Sequence, residues 1–536
     1  MGNKDIVRAL LWAAIAFFAW QWIAVVVWPP QPKSEELPPQ ITDSSDVGDP
    51  SPPVGPRDAN EESPQSTTLS PPTEVSGGGS GTLAATGGES RTLTIGDSSE
   101  GLDGDFRMAV ALSTVGASVL RVELNDYDLN IDDDSPPYPM LAQVAREDGT
   151  WVRSFEIERI NVDAESIPIQ DESWSVEDES PEQVTFALDI NGPDGAILRL
   201  HKTFRLPEQR HESMRSDLRI SLRLENLGEQ PRTVIVTRHG AVGIRREDRR
   251  FNDRSTFLGL EDGDAVGVDQ MMGSRIKEET SAYVLSESKP LIWTALANKY
   301  FVVFETPVPA EGENRVGWIQ AIKRYPAATD PIDGAAPAFR MTTTPIVLAA
   351  GQSRELAYDC YLGPKSREAF AKIDDYRLNG YDEQVLASYS MGACSFMTFT
   401  SLTTFMIWML NLLELVVRNY GVAIIILVLL VRTILHPITK KGQVNMMRMQ
   451  QQMGSLGPKM EEIKKRFAND KAKVNTETMK LYQEAGINPA TGMLSSCLPM
   501  MLQMPIWIAL YTSLNHNIDM RHQPFMLWIR DLSAPD

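Results

Sequence analysis

The sequence predicts an α+β membrane protein: a large β domain outside the membrane, an α-helical transmembrane core, and a helical hairpin on the cytoplasmic side. Three observations predict it. Apolar runs near the amino terminus and beyond residue 396 are long enough to cross a bilayer. The stretch between them alternates apolar and polar residues with period two, and the charge is unevenly divided. The 536 residues include 51 Lys plus Arg against 71 Asp plus Glu, a formal net charge of -20. Acidic residues crowd the first two thirds, whereas 440–480 holds roughly twice as many basic as acidic residues, as expected of segments on opposite sides of a membrane. This balance argues against a general nucleic-acid binder, which needs a basic surface to meet phosphate.

Residues 1–30 read as an uncleaved transmembrane anchor. Ala9 to Trp28 is an apolar run of about 20 residues, enough to cross a hydrocarbon core of about 30 Å as a helix. It ends in Trp28, Pro29 and Pro30 rather than in a small-residue cleavage site. Lys4 and Arg8 precede it and acidic residues follow, so the amino terminus lies in the cytoplasm and the next segment outside. Residues 31–90, rich in Pro, Ser, Gly and acidic residues, bury too little apolar surface to fold and predict a disordered linker. Over 91–370 the alternation of Leu218, Ile220, Leu222 and Leu224 with Arg219, Ser221, Arg223 and Glu225 predicts half-buried strands. Val184, Phe186, Leu188 and Ile190 repeat it, and antiparallel sheets packed as a sandwich follow.

Residues 371–419 predict a connector and a helix lying at the outer interface, because Glu414, Arg418 and Asn419 interrupt the apolar run. A single span over 420–439 keeps the basic 440–490 segment inside, as the positive-inside rule requires, and a second span over 491–515 returns the chain outward to 516–536. Between the spans, Met446, Met453, Met460 and Phe467 recur every seven residues, with Met449, Leu456 and Ile463 complementary to them. They predict one arm of a hairpin; Pro458 starts or bends a helix there, the chain turns near Asn469 and Asp470, and the second arm covers about 473–485. The Met stripe fits either packing between the arms or a pliable surface for varied apolar clients. The basic face fits plain solvation, anionic lipid or ribosomal RNA.

Arg432 is the decisive residue. At 1.5 Å per residue it lies about 18 Å along the helix from Tyr420, inside the hydrocarbon region, where an Arg costs about 2.5 to 3.5 kcal/mol. Two readings remain, a side chain snorkelling to the inner headgroups and a charge facing a polar cavity. Gln503, Trp507 and Tyr511 recur at i, i+4 and i+8 on the second span, and Thr512 continues the polar character outward. Gln503 can equally bond a neighbouring helix. Cys360, Cys394 and Cys497 and six scattered histidines have no metal-ligand spacing, and no cofactor is expected.

VRTILHPITKKGQ from Val431, NPATGMLSSCLPMMLQMPIWIALY from Asn488 and PFMLWIRDLSAPD from Pro524, in that order, resemble the YidC family of membrane protein insertases. WTALANKYF at Trp293 and YLGPK at Tyr361 extend the likeness outward. The resemblance implies a Gram-negative form in the cell inner membrane, with a periplasmic β-supersandwich resembling sugar mutarotases and an insertase core. By it, Arg432 is the single positive charge of a hydrophilic groove that receives polar parts of incoming spans, and the Met-rich hairpin meets substrates on the cytoplasmic side. Implied partners are nascent membrane-protein substrates, the lipid bilayer, the Sec translocon and the ribosome, with no covalent chemistry. Family members continue past the block ending at Asp536 with three further spans, so the chain reads as a truncated form. The rivals are a membrane-anchored carbohydrate-binding or mutarotase-like protein using His239 and nearby carboxylates, and an anion transporter using Arg432.

Overall fold

The computed structural model describes residues 83–97, 105–131, 134–207, 216–247, 254–263, 265–285, 289–309, 313, 316–330, 334–381, 400–467, 470–484 and 489–533. The expected anchor over 1–30 and nearly all of the expected linker lie outside them, as does Cys394. The first strand, Ala84–Thr86, falls within the stretch assigned to the linker and pairs with Gln183–Gly192. Three residues on a sheet edge carry too little pattern to separate them from polar chain.

The β domain is a sandwich of two large antiparallel sheets. Successive neighbours in the ten-stranded sheet are Ala84–Thr86, Gln183–Gly192, Gly195–Arg205, Asp217–Asn226, Ser353–Pro364, Phe301–Pro307, Leu291–Ala297, Ser255–Asp262 and Ala265–Met272, with Ser175–Glu179 also on Gln183–Gly192. The seven-stranded sheet centres on Ile319–Asp330, Gly334–Thr343, Arg232–His239 and Ile157–Val162. Asp217–Asn226 shows why these residues form strands. Leu218, Ile220, Leu222 and Leu224 are buried while Arg219 and Arg223 are exposed, so one face sheds its water and the other keeps it. Ile220, Leu222 and Leu356 of one sheet and Ile157, Val236 and Met341 of the other line the same interior space.

The far end of the large sheet is covered by two short helices, α1 (Arg367–Lys372) and α2 (Asp374–Leu378). Phe370 and Tyr376 from them join Phe257, Trp293, Phe304, Tyr361 and Tyr381 in an aromatic cluster, with Tyr381 stacked on Phe304 at 3.8 Å. Gly259 pairs with Trp293 across the strands, and a Cβ there would overlap Cε2 of the indole. The indole cannot retreat, because its Nε1 donates to the Asn379 carbonyl at 2.9 Å and its ring meets Phe304 edge-on at 4.9 Å. Gly259→Ala is therefore expected to destabilise the domain by about 1–3 kcal/mol through overpacking. A lowered urea midpoint at unchanged slope checks this, and an unshifted midpoint contradicts it.

The interior also holds ionisable groups. Glu156, 2% exposed, accepts a hydrogen bond from Arg153 Nη1 at 3.4 Å, and burial pushes its carboxyl up to about 7 despite that arginine. The buried Lys202 ammonium donates to the Phe155 carbonyl, and burial lowers its pKa well below the ordinary lysine value, helped by nearby Arg238. A carboxyl raised above its ordinary 4.5 binds its proton more tightly in the folded than in the unfolded chain. Its stabilising effect is thus complete below about 4.5 and lost as pH rises through about 7. Glu156→Gln is expected to flatten the stability slope between pH 5 and 7 and to add on the order of 1–3 kcal/mol at pH 8. Thermal unfolding at both pH values checks it; a slope retained in the variant would assign the dependence to another group.

Among the described residues five helices follow. α3 (Thr400–Val417) ends where Arg418 takes φ 51, and α4 (Tyr420–Ser455) begins as the Asn419 side chain accepts the Val422 N–H at 3.0 Å. α4 continues for 36 residues through Pro437, so the span expected over 420–439 and the first part of the expected hairpin are one helix. A proline removes one backbone donor without ending a helix whose flanks stay helical. α5 (Gly457–Arg466) begins with Pro458 in its first turn, as expected. α6 (Lys471–Glu484) packs back on it, where the Tyr482 hydroxyl reaches Met460 Sδ at 3.1 Å. α7 is Pro489–His516. Met406 and Leu410 of α3, Ala423 and Leu427 of α4, and Ala509 and Leu510 of α7 form one buried core. Among the described residues, Tyr420–Pro437 is the one helical stretch long and apolar enough to cross a membrane.

Candidate functional site

Helices α4 and α7 bring the widely separated Arg432 and Trp507 together. The packing of Ala423 and Leu427 on Ala509 and Leu510 sets the register. It leaves Arg432, five residues beyond Leu427, on the exposed side of α4 with its Cζ 5.6 Å from the Trp507 ring centroid. Trp507 and Tyr511 are 40% and 55% exposed, and Gln503 on the same stripe is half-buried. Among the described residues no carboxylate pairs with Arg432. A guanidinium over an indole gains about 0.5–2 kcal/mol, less than the roughly 2.5 to 3.5 kcal/mol that an Arg costs in hydrocarbon. The tryptophan orients the charge and does not neutralise it.

Thr512 departs from the expected set. It is fully buried, and its Oγ1 donates to the Ile508 carbonyl of its own helix at 2.7 Å. A threonine hydroxyl satisfied in this way needs no groove. Of the expected Met surface, Met460 is described, half-buried against Tyr482; the side chains of Met446, Met449 and Met453 lie outside those described. His239 is 1% exposed, bonded through Nδ1 to the Tyr325 hydroxyl, with Nε2 3.6 Å from both Glu156 and Glu158. Burial holds the imidazole well below its ordinary pKa, helped by Arg340 nearby. It is a neutral, sealed structural residue and offers a sugar no acid or base.

The sequence pattern did not single out Asn411 or Asp519. Asn411 Nδ2 donates to Asp519 at 3.0 Å and its Oδ1 accepts from Asn517 at 3.2 Å, joining α3 to the segment after α7. An amide flanked by Met409, Leu410, Leu412 and Leu413 was the available signal.

The family model described as "YidC periplasmic domain" matches residues 106–383, and that described as "60Kd inner membrane protein" matches 412–536. A membrane protein insertase YidC of Zymomonas mobilis is 38% identical over 195 residues, covering 36% of this chain and 31% of that protein. One of Magnetococcus marinus is 34% identical over 263 residues, covering 48% of this chain and 41% of that protein. A galactose mutarotase-like protein of Lactobacillus casei aligns with 51% of this chain and 100% of its own at 12% identity and a TM-score of 0.34, too low to carry an argument. Sandwich, apolar helix and matches together define an inner-membrane protein with a periplasmic β domain. The chain belongs to the YidC family. It spans less than half the length of the curated relatives it matches.

Proposed function

We propose that this chain forms part of a membrane protein insertase, which assists the insertion and folding of inner-membrane proteins without covalent chemistry. The reading rests on family membership and, residue by residue, on Arg432 beside Trp507 on an exposed helix face with no carboxylate partner among the described residues. A cation so placed lowers the cost of bringing a short polar segment into hydrocarbon, because the segment exchanges water for a charge already there. Gln503, Trp507 and Tyr511 line the same face. In this proposal α4 and α7 both cross the inner membrane, the amino terminus is cytoplasmic, and the distal part of α4 with α5 and α6 forms a cytoplasmic hairpin on which Met446, Met449 and Met453 of α4 and Met460 of α5 receive apolar clients. The outer domain is read as a periplasmic β-supersandwich. Partners are nascent membrane-protein substrates and the bilayer, with the Sec translocon and the ribosome as further ones.

The test is reconstitution of the full protein in proteoliposomes with single-span clients whose outer tails are charged or uncharged. Arg432→Ala is expected to weaken insertion of the charged-tail clients selectively. Equal insertion of both client types by wild type and variant overturns the mechanism.

A further inference from the structure

Arg521 leaves the helical unit and enters a cage built entirely by the β domain. Its Cζ lies 5.0 Å from the Tyr138 ring centroid and 5.9 Å from that of Phe301, two rings stacked on each other at 4.2 Å. Its Nε is 3.8 Å from Glu247 Oε2, and an Nη2 hydrogen bond of 3.4 Å reaches the Leu129 carbonyl. Both charged side chains are nearly sealed from water, at 6% and 12% exposure. An arginine packs well against aromatic faces because its planar charge is weakly hydrated, and the carboxylate compensates the loss of solvent.

The cage is itself held. Tyr138 donates to Glu247 Oε1 at 2.6 Å. Asn298 donates to the Tyr138 hydroxyl at 3.1 Å and to the Arg245 carbonyl at 2.8 Å, while its Oδ1 accepts the Tyr300 and Phe301 N–H groups. The ANKYF part of the WTALANKYF motif thereby folds the turn that fixes the cage. On the opposite side, Asn517 and Asp519 tie the same segment to Asn411 of α3. Arg521 thus stands between two anchored bodies.

The geometry points to Arg521 as a positioning residue, a latch that holds the β domain in fixed register on the helical unit through the Tyr138–Phe301–Glu247 cage. The inference is independent of the insertion reading. It predicts that losing the latch loosens the junction while leaving each body folded.

Hydrogen exchange of the full chain in nanodiscs tests it. Arg521→Ala is expected to speed exchange tenfold or more in 517–533 and in the Asn298–Phe301 turn, with the strands Gln183–Gly192 and Gly195–Arg205 and helix Tyr420–Pro437 unchanged. Glu247→Gln is expected to do the same more weakly, and the double variant to exceed Arg521→Ala only slightly, since both act through one contact. Arg521→Lys, which keeps the charge but not the planar stacking, is expected to fall between wild type and Arg521→Ala. Unchanged exchange in both segments, fully multiplicative effects of the two substitutions, or faster exchange throughout the chain in every variant would overturn the latch.

Discussion

Arg432→Ala is expected to slow insertion of single-span clients with charged outer tails about tenfold, equivalent to about 1.4 kcal/mol at the barrier. Two unit charges 4 Å apart attract by about 4 kcal/mol at an effective dielectric constant near 20, and water in a groove open to solvent screens much of it. Arg432→Lys keeps the charge and is expected to slow insertion only about two- to fivefold. Its loss is expected to match that of Trp507→Ala, because both remove the guanidinium–indole contact, at about 0.5–1 kcal/mol. Initial insertion rates measured at low and high salt separate the two effects. A charge effect shrinks with salt, while lost packing does not. Equal losses in Arg432→Ala and Arg432→Lys would show that the positive charge is not what clients use.

Glu305→Ala is expected to destabilise the β domain by about 3–5 kcal/mol. Glu305, 2% exposed, accepts from Arg238 Nη2 at 2.8 Å and from the Ala241 N–H at 2.6 Å. Arg238 lies over the Tyr358 ring at 3.6 Å and is itself buried. Truncating the carboxylate leaves a guanidinium charge and a backbone donor without their partner in a space that excludes water. Replacing both members of the pair, as Arg238→Met with Glu305→Leu, is expected to recover much of the loss by removing the stranded charge. Arg219→Ala makes the comparison, because its pair with Asp359 is about half exposed on both sides and should contribute under 1 kcal/mol. Urea titration of all three variants, followed on the β-domain transition, reads the difference; a Glu305→Ala loss no larger than that of Arg219→Ala would contradict it.

The two substitutions also mark where sequence reading reached and stopped. Alternation announced the strand Asp217–Asn226, because a half-buried strand must repeat every two residues and Leu218 to Leu224 do so. No local pattern could announce that Glu305 would meet Arg238, 67 positions away, since an isolated carboxylate in an apolar run reads the same whether it finds a partner or faces solvent. The Arg432 face was legible because helical period carries Gln503, Trp507 and Tyr511 to one side whatever packs nearby. Thr512 was misread for a related reason. One residue further on, the helix has turned by about 100°, which carried its side chain into the core, where its hydroxyl bonds its own backbone. The length of α4 escaped because the span was ended at 439 where the basic segment begins, and a change in charge does not by itself end a helix, which runs on through Pro437 to Ser455.

That unbroken passage through Pro437 has a mechanical consequence. The eighteen residues of α4 beyond it form a rod about 27 Å long, stiff along its length and weakest at the turn where the proline removed a bond. A bend of about 10° at that turn would swing the distal end near Ser455 by about 5 Å, roughly one helical pitch. Whatever pushes on α5 and α6 therefore acts through a lever whose fulcrum lies about one and a half turns from Arg432. A small tilt of the hairpin and a small displacement of the charged face become two ends of the same motion.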